Sequence, residues 1–354
     1  MSSATPSPAG PWRLSVAPML AWTDKHCRYF HRLLTKRTRL YTEMVTTGGL
    51  LHGGERRHLR LDESEHPVAL QLGGSEPDEL AACARIGARW GYDEINLNCG
   101  CPSERVQRGA FGACLMAEPQ LVADCVKAMV DAVDLPVTVK HRIGIDRAES
   151  YGFVRDFVGA VAEAGCHVFI VHARNAWLKG LSPKENREIP PLRHEWVYRL
   201  KQDFPRLTIV LNGGVAGDEQ IRAHLQQVDG VMLGRAAYHN PWIMSRWDAG
   251  FLGGAPCALT PDEVAAEMVA YMARELAEDG TPWSDYRHFY MGLLREDGTP
   301  WSAVARHLLG LHHGRRGARL WRQVWSDHRL KSRPAAEVAA LARAHLLEAL
   351  AGVD

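Results

Sequence analysis

The chain has 354 residues, a formal net charge of +1 at pH 7, and charged and hydrophobic fractions of 23% and 46%. These values are typical of a globular protein, and the near-zero charge argues against a uniformly basic nucleic-acid binder. Its eight cysteines lack the paired spacing of a zinc site or a disulfide framework. We therefore expect reduced thiols, no bound metal and a cytoplasmic location.

The N-terminal residues MSSATPSPAG lack the charged start and apolar run of a signal peptide. No stretch of the sequence reaches the length of a membrane span. We therefore expect residues 1–12 to form a disordered leader. The remaining length suits one large domain followed by a smaller one.

Short apolar runs recur in the first part of the chain, and most end in a polar residue or a glycine. The eight runs are Ser15–Met19, Leu40–Val45, Val68–Leu72, Glu94–Asn98, Val137–Arg142, His167–His172, Thr208–Asn212 and Gly230–Leu233. Stretches of helical period, such as Asp78–Trp90 and Tyr151–Ala164, separate most of them. Apolar strands that alternate with helices indicate a parallel sheet. Eight such units predict a (β/α)8 TIM barrel rather than an open sheet.

After about Pro256 the strand pattern stops, and helical periods continue from Pro261–Glu278 to Ala335–Ala351. We therefore expect a barrel domain over residues 13–255 and a smaller, all-helical domain over residues 256–354. The run from Arg306 to Arg333 contains eight basic residues and one acidic residue. From charge alone this run is either a solvated helical face or a phosphate-binding surface.

The C-terminal strand ends of such a barrel meet at one mouth, where the site lies. Asn212-Gly213-Gly214 follows the seventh run, and Gly234-Arg235 follows the eighth. Glycine turns with a nearby arginine after these two strands commonly bind a phosphate group. Lys140 and His172 are expected to supply charge and hydrogen bonds at the same mouth.

One cysteine is placed for chemistry rather than packing. Cys101 follows the fourth run, beside Gly100, which allows a close approach of the backbone, and Pro102, which restricts the residue before it. A free cysteine is often an inert buried residue. The surrounding motif nevertheless favours a reactive thiol at the barrel mouth.

The motif Asn98-Cys99-Gly100-Cys101-Pro102 resembles the central motif of the tRNA-dihydrouridine synthases, and the similarity extends from about Ser15 to about Gln323. The segments most similar to the bacterial A-type enzymes are SVAPMLAWTDKHCRYF, YTEMVTTGGLLHG, HPVALQLGG, FGACLM and GLSPKENREIPPL. The resemblance implies an FMN-dependent enzyme that uses NADPH to reduce uridine to 5,6-dihydrouridine at positions 20 and 20a of the tRNA D-loop. It implies hydride transfer from flavin N5 to C6 and protonation of C5 by Cys101, rather than by its neighbour Cys99.

The resemblance also implies which residues bind each ligand. The FMN-binding residues would be Pro18, Met19, Leu20, Gln71, Lys140, His172, Asn212, Gly213, Gly214, Gly234 and Arg235. The tRNA-binding residues would be Asn98, Lys184, Arg187, Arg319 and Arg322. The basic run would then hold tRNA phosphates while one base enters the barrel. We expect a monomer with tRNA as its partner.

Three features depart from the family pattern. The segment EDGTPWS occurs at Glu278–Ser284 and again at Glu296–Ser302, as in an 18-residue tandem duplication, which we expect to affect RNA affinity more than chemistry. Asn175 stands where a lysine is usual. His141 follows the flavin lysine, and strand alternation predicts that it packs rather than catalyses.

Two other functions remain open at this stage. A barrel flavoenzyme acting on a free pyrimidine, similar to dihydroorotate dehydrogenase, could use the same cysteine and cofactor, although it would not explain the basic run. A tRNA-binding protein with a vestigial flavin site would purify colourless, whereas the enzyme would purify yellow.

Overall fold

A parallel barrel forms the first part of the molecule, for which a computed structural model describes residues 10–278 and 301–351. Its strands are β1 (Leu14–Val16), β2 (Leu40–Thr46), β3 (Val68–Gly73), β4 (Glu94–Cys99), β5 (Val137–Arg142), β6 (Val168–His172), β7 (Thr208–Asn212) and β8 (Gly230–Leu233). All neighbours pair in parallel in the order β1-β8-β7-β6-β5-β4-β3-β2. Arg39 links the two remaining edges, since Val16 N donates to Arg39 O (3.0 Å) and Arg39 N donates to Leu14 O (3.1 Å). The predicted TIM barrel is confirmed.

Helices surround the barrel and continue beyond it. They are α1 (Lys25–Leu34), α2 (Thr47–Gly53), α3 (Glu55–Leu59), α4 (Pro77–Arg89), α5 (Glu104–Arg108), α6 (Pro119–Ala132), α7 (Tyr151–Glu163), α8 (His194–Asp203), α9 (Asp218–His224), α10 (Arg235–His239), α11 (Trp247–Phe251), α12 (Pro261–Glu278), α13 (Trp301–Ala305), α14 (Ala318–Ser326) and α15 (Ala335–Ala351). Within residues 10–278 and 301–351, no helix is long and apolar enough to cross a membrane.

The first strand is shorter than its apolar run. The run was predicted to extend to Met19, but β1 ends at Val16, although Ala17 N still donates to Leu233 O (2.7 Å). Pro18 has no N–H for a strand pair, and Met19 N donates to Thr23 Oγ1 (2.9 Å) instead. The chain therefore leaves the sheet here and forms a loop at the barrel mouth.

Helix α1 lies outside the helical stretches given as examples, and charged residues occupy part of its buried face. Arg28 and Arg32 are both buried; Arg28 Nε donates to Glu65 Oε2 (2.5 Å), and Arg32 Nη2 donates to Glu65 O (2.8 Å). Asp24 begins the helix by accepting a hydrogen bond from Cys27 N (2.9 Å).

The C-terminal helices pack on the barrel through α12. Tyr271 on α12 stacks against Tyr29 on α1, with ring centroids 4.1 Å apart. Helices α12 and α15 have the predicted bounds. The EDGTPWS duplication lies almost entirely outside the described residues, as does most of the expected leader, and the domain boundary at residue 255 stays a prediction.

Candidate functional site

A cavity of about 1490 Å³ opens at the C-terminal ends of the strands. Its volume exceeds the roughly 300–1,000 Å³ typical of a site for one small molecule, so it has room for more than one ligand. The cavity brings together most of the residues predicted from the sequence: Pro18, Met19, Leu20, Gln71, Asn98, Cys101, Lys140, His172, Arg187, Asn212, Gly213, Gly214, Gly234 and Arg235. Lys184, Arg319 and Arg322 are not part of its lining.

The two cysteines of the central motif have different surroundings. Cys99 ends β4 and is fully buried, whereas Cys101 is partly exposed and lines the cavity. Cys101 Sγ lies 3.5 Å from Ser103 Oγ. Gly112 packs over the same loop with φ of +80°, and a Cβ there would lie 2.6 Å from Cys101 O. Position and access therefore distinguish the two thiols in favour of Cys101.

The peptide group before Cys101 is held on both sides. Asn98 Oδ1 accepts hydrogen bonds from Gly100 N and Cys101 N, each at 3.0 Å. On the other side, Arg142 Nε donates to Gly100 O at 3.2 Å. The Asn98 amide thus holds the cysteine loop, and its predicted contact with tRNA stays a prediction.

Arg142 is one of the strand-end residues that the barrel prediction places at the mouth, although no ligand was assigned to it, and it lines the cavity. It is buried at the end of β5, and its Nη1 donates to Asn186 O (2.9 Å) and Asn175 O (3.4 Å). The arginine therefore joins the cysteine loop to the long loop after β6. Its spacing of two from Lys140 places both side chains on one face of the strand.

The loop after β6 is folded around a buried amide. Asn186 Oδ1 accepts from Trp177 N (2.7 Å), and its Nδ2 donates to Trp177 O (2.9 Å). Gln107 ties this loop to the cysteine loop, since its Nε2 donates to both Pro102 O and Leu178 O at 2.7 Å. Near Asn186, Arg187 reaches the cavity, whereas Lys184 is exposed outside its lining.

Lys140 and Arg142 are two of the basic side chains that line the mouth. Burial and the neighbouring Arg142 lower the pKa of Lys140 to about 7. Burial lowers the pKa of Arg142 to about 10, so the guanidinium stays charged at neutral pH. Burial and the neighbouring cations hold the pKa of His172 well below its usual range, so this imidazole is neutral. The expectation that His172 supplies charge is therefore corrected: it supplies hydrogen-bonding capacity.

Two turns at the far side of the mouth have the backbone of an anion site. Gly213 and Gly214 have φ of +113° and +76°, and a Cβ on Gly214 would lie 2.5 Å from Leu192 Cδ1. His194 Nε2 lies 2.8 Å from Gly213 O and supports the turn. Arg235 follows the second turn, and its Nη1 donates to Glu188 Oε1 (2.7 Å). These glycines line the same cavity as Lys140 and Arg142, and the set fits a phosphate-bearing cofactor.

The basic run of the C-terminal region divides into two groups. Arg306 forms an ion pair with Asp24, and Arg315 lies over the Trp242 ring, 5.2 Å from its centroid. In contrast, Arg319 and Arg322 are exposed on α14, three residues apart and therefore on the same side of the helix. Within the described part of the chain, neither of these two has an ion-pair partner. Arg319 and Arg322 are therefore available to a ligand, whereas Arg306 and Arg315 hold the C-terminal helices on the barrel.

His141 and Asn175 are structural residues. The His141 ring lies between Phe157 and Phe169, at centroid distances of 5.1 and 5.9 Å, and Nδ1 is 2.6 Å from Arg142 O. This packing confirms the prediction for His141. Asn175 is buried, and its Nδ2 donates to Asp146 O (2.8 Å). Among the residues that the structure describes, no group of three His, Cys, Asp or Glu side chains is arranged to hold a metal ion.

Comparison with known proteins gives consistent matches over most of the chain. The family model described as dihydrouridine synthase matches residues 15–346. A tRNA-dihydrouridine(20/20a) synthase of Pseudomonas aeruginosa is 56% identical over 314 residues, covering 89% of both chains. The proteins of the same name from Vibrio parahaemolyticus and Escherichia coli K12 are each 54% identical, covering 92% and 90% of this chain and 94% and 87% of their own.

A solved structure shares the fold at low sequence identity. The complex of 2-naphthoyl-CoA reductase with 2-naphthoyl-CoA aligns with a TM-score of 0.52 and 10% identity, covering 67% of this chain and 50% of the reductase. This likeness supports the barrel architecture alone. The extent of the family match and the identity to the three synthases are decisive: the chain belongs to the dihydrouridine synthase family.

Proposed function

We propose that the protein reduces uridine to 5,6-dihydrouridine at positions 20 and 20a of the tRNA D-loop, with FMN as cofactor and NADPH as reductant. The single observation that carries this proposal is the location of Cys101. Its thiol lines one cavity together with the cations Lys140 and Arg142 and the glycine turn Gly213-Gly214. The names of the three similar synthases support tRNA and these two positions.

The residues of the mouth can be assigned to parts of the cofactor. Gly213, Gly214, Gly234 and Arg235 would hold its phosphate group, and Lys140 would lie near the ring portion that becomes anionic on reduction. Pro18, Met19, Leu20, Gln71, His172 and Asn212 complete the set proposed to bind it. When bound, FMN supplies the hydride that reaches C6 of the uracil.

Cys101 is proposed to supply the proton to C5. A thiol can act as a general acid and release its proton to a developing carbanion. The bonds from Asn98 and Arg142 to the loop hold the thiol at one position. A thiol held in this way loses little further freedom when the base arrives.

The surface around the mouth is proposed to hold the folded RNA. Its target uridine must leave the base stack to reach Cys101, so the phosphates on either side need cationic contacts. Arg187 lies at the cavity, and we assign Lys184, Arg319 and Arg322 to phosphates further away. On this proposal residues 13–255 form the catalytic domain and residues 256–354 the tRNA-binding domain of a monomeric, cytoplasmic enzyme.

The test is a reaction with defined substrates. Purified yellow protein is incubated with NADPH and unmodified tRNA, and dihydrouridine is mapped along the D-loop by mass spectrometry of nuclease fragments. We expect dihydrouridine at positions 20 and 20a, and none at these sites when both carry cytidine. Free uridine and orotate serve as competing substrates.

The results separate the proposal from its alternatives. Turnover of orotate or free uridine with no reaction on tRNA would overturn it in favour of a small-molecule enzyme. Colourless protein that binds tRNA and cannot be loaded with FMN would overturn it in favour of a binding protein. Dihydrouridine at other positions would overturn the assignment to positions 20 and 20a alone.

A further inference from the structure

A continuous row of hydrogen-bonded side chains crosses the inside of the barrel beneath Cys101. Asn98 Nδ2 donates to Gln71 Oε1 (2.9 Å), Gln71 Nε2 donates to Asn96 Oδ1 (2.7 Å), and Asn96 Nδ2 donates to Thr138 Oγ1 (2.7 Å). The Thr138 hydroxyl then donates to Glu94 Oε1. All five side chains are buried. We call this row, Asn98-Gln71-Asn96-Thr138-Glu94, the polar ladder.

Glu94 is the lower end of the polar ladder, at the N-terminal end of the strands. Besides Thr138, its carboxylate accepts from Tyr41 OH (2.8 Å) and Trp12 Nε1 (2.8 Å) and lies 3.1 Å from Arg39 Nη1. A carboxylate surrounded by donors acts as an acceptor toward all of them. Among the cavity-lining residues Glu94 does not appear, so it has no direct contact with a ligand there.

The acceptor at the lower end determines which way each amide of the ladder faces. The Thr138 hydroxyl has one proton and gives it to Glu94, so it can only accept from Asn96. The Asn96 amide must therefore turn its nitrogen to Thr138 and its oxygen to Gln71. The same rule applies one step higher, where Gln71 must turn its oxygen to Asn98.

The upper end of the ladder is the loop that carries the thiol. With its nitrogen turned toward Gln71, Asn98 presents its oxygen to the N–H groups of Gly100 and Cys101, both at 3.0 Å. A reversed amide would place two donors against these two N–H groups. The carboxylate and the two backbone donors therefore require the same orientation of every amide between them, and hydrogen bonds aligned in one direction polarise and strengthen one another.

We propose that Glu94 is a positioning residue for Cys101, acting through the polar ladder to hold the cysteine loop in the geometry for proton donation. The proposal rests on the proposed function, because it takes Cys101 as the proton donor. It gives a role to polar groups that a purely structural barrel would replace with apolar ones. The residues that bear it are Glu94, Thr138 and Asn96, none of which the sequence-based site contained.

Two hydroxyl groups on the same carboxylate oxygen provide a matched pair of variants. Thr138 and Tyr41 both donate to Glu94 Oε1, but only Thr138 continues upward to Asn96. Thr138→Val keeps the side-chain shape and breaks the ladder. Tyr41→Phe removes an equivalent hydrogen bond and leaves the ladder intact, and Thr138→Ser keeps the hydroxyl as a rescue.

The FMN-loaded variants are compared in two measurements. The rate at which iodoacetamide alkylates Cys101 is followed by mass spectrometry from pH 6 to pH 9. The rate at which unmodified tRNA reoxidises the NADPH-reduced flavin is followed in a single turnover. Thermal unfolding of each variant measures the general loss of stability, which both hydroxyl deletions are expected to share.

For Thr138→Val we expect alkylation about threefold faster or more, because the loop is loosened, and tRNA-driven reoxidation about tenfold slower, because the thiol is displaced. Tyr41→Phe and Thr138→Ser should match the wild type in both rates. If Thr138→Val cannot be purified folded, Glu94→Gln replaces it. An amide at position 94 can donate to the Thr138 hydroxyl, which can then donate to Asn96, so the amides of Asn96, Gln71 and Asn98 are no longer held in one orientation.

Equal alkylation profiles for Thr138→Val and Tyr41→Phe would overturn the proposal. The proposal would also be overturned if Thr138→Ser, which keeps the hydroxyl, failed to match the wild type in both the alkylation rate and the rate of tRNA-driven reoxidation. The alkylation measurement does not require a reaction with tRNA, so the wild type's failure to reduce tRNA would refute the proposed function while the ladder's effect on the thiol would still be measured.

Discussion

The barrel mouth carries the residues proposed for the chemistry, and the exposed side of α14 carries arginines proposed to bind tRNA. The two regions differ in how firmly they hold their side chains. At the mouth, Cys101 lies on a loop fixed by Asn98 from one side and Arg142 from the other. On α14, Arg319 and Arg322 extend into solvent and, in the described part of the chain, form no ion pair.

The two regions therefore separate the residues proposed for proton transfer from the residues proposed for RNA recognition. Proton transfer depends on sub-ångström placement, so the protein completes the hydrogen bonds of the thiol loop before any ligand arrives. Phosphate recognition depends mainly on charge and tolerates mobile side chains, whose ordering is offset when the RNA binds. Changes at the mouth should therefore alter reaction steps, and changes on α14 should alter RNA affinity.

The largest expected effect is that of Cys101→Ala. Removal of the proton donor should reduce turnover on tRNA by a factor of about 10²–10⁴, the usual contribution of a general acid. Flavin content and reduction by NADPH should stay at wild-type levels. The loop should keep its shape, because Asn98 and Arg142 hold it through hydrogen bonds to its backbone and not through the sulfur. Stopped-flow absorbance of the flavin separates the two half-reactions.

The control is Cys114→Ala, a second partly exposed thiol, which lies outside the cavity lining. This variant should retain wild-type turnover. Undiminished reoxidation of the flavin by tRNA in Cys101→Ala would refute the assignment of the thiol as proton donor.

The next largest effect is expected for Gly214→Ala in the proposed phosphate turn. Its φ of +76° strains any other residue by roughly 1–3 kcal/mol, and the new Cβ would lie 2.5 Å from Leu192. We expect the variant to purify with little FMN and to bind added FMN about tenfold or more weakly. Gly217→Ala is the matched control, because its Cβ would meet nothing within 4 Å. Equal FMN affinity of the two variants would contradict the assignment of this turn.

A smaller effect, confined to RNA binding, is expected for the double variant Arg319→Ala/Arg322→Ala. Loss of two phosphate contacts should weaken tRNA binding several-fold and lower the slope of log affinity against log salt by about 1 per arginine. Turnover at saturating tRNA should be unchanged. Arg329→Ala is the control, since Arg329 already pairs with Asp327 at 2.7 Å. A lowered rate at saturating tRNA would show that α14 takes part in the chemistry.

The comparison also explains which parts of the molecule could be predicted from the sequence. Strands β2–β8 coincide with their predicted runs to within one residue at either end. Once the barrel was predicted, the rule that strand ends share a mouth brought together residues as distant as Met19, Cys101 and Arg235. The resemblance selects Cys101 over Cys99, and the exposure of the two thiols agrees with that choice.

Features that depend on which side chains meet as hydrogen-bond or charge partners in the folded protein could not be predicted. Helix α1 buries arginines whose partners, such as Glu65, lie far along the chain, and no spacing rule predicts such a pair. Asn98 was assigned to tRNA, and no spacing rule reveals that its oxygen accepts from Gly100 and Cys101. The lowered pKa of His172 likewise arises from burial and from cations on β5 and on the loop after β6.

The smallest expected effect concerns stability rather than turnover, and it arises from the buried charge of Lys140. Its folded-state pKa of about 7 lies below the value of about 10.4 of an unfolded chain, so between these values the unfolded state binds more protons. The contribution of Lys140 to the free energy of unfolding therefore rises with pH across this window and is least favourable below pH 7.

In FMN-free protein, Lys140→Met should raise the free energy of unfolding more at pH 6 than at pH 9. The difference should be on the order of 1 kcal/mol after allowance for solvent screening of a partly exposed group. Urea unfolding at both pH values measures it, and Lys331→Met, on the exposed surface, should change stability little at either pH. Because an anionic ligand beside Lys140 would favour the charged lysine, saturation with FMN should reduce the pH-dependent difference. A difference that persists unchanged with FMN bound would place the cofactor away from Lys140, and the mouth would then hold its cations for the RNA alone.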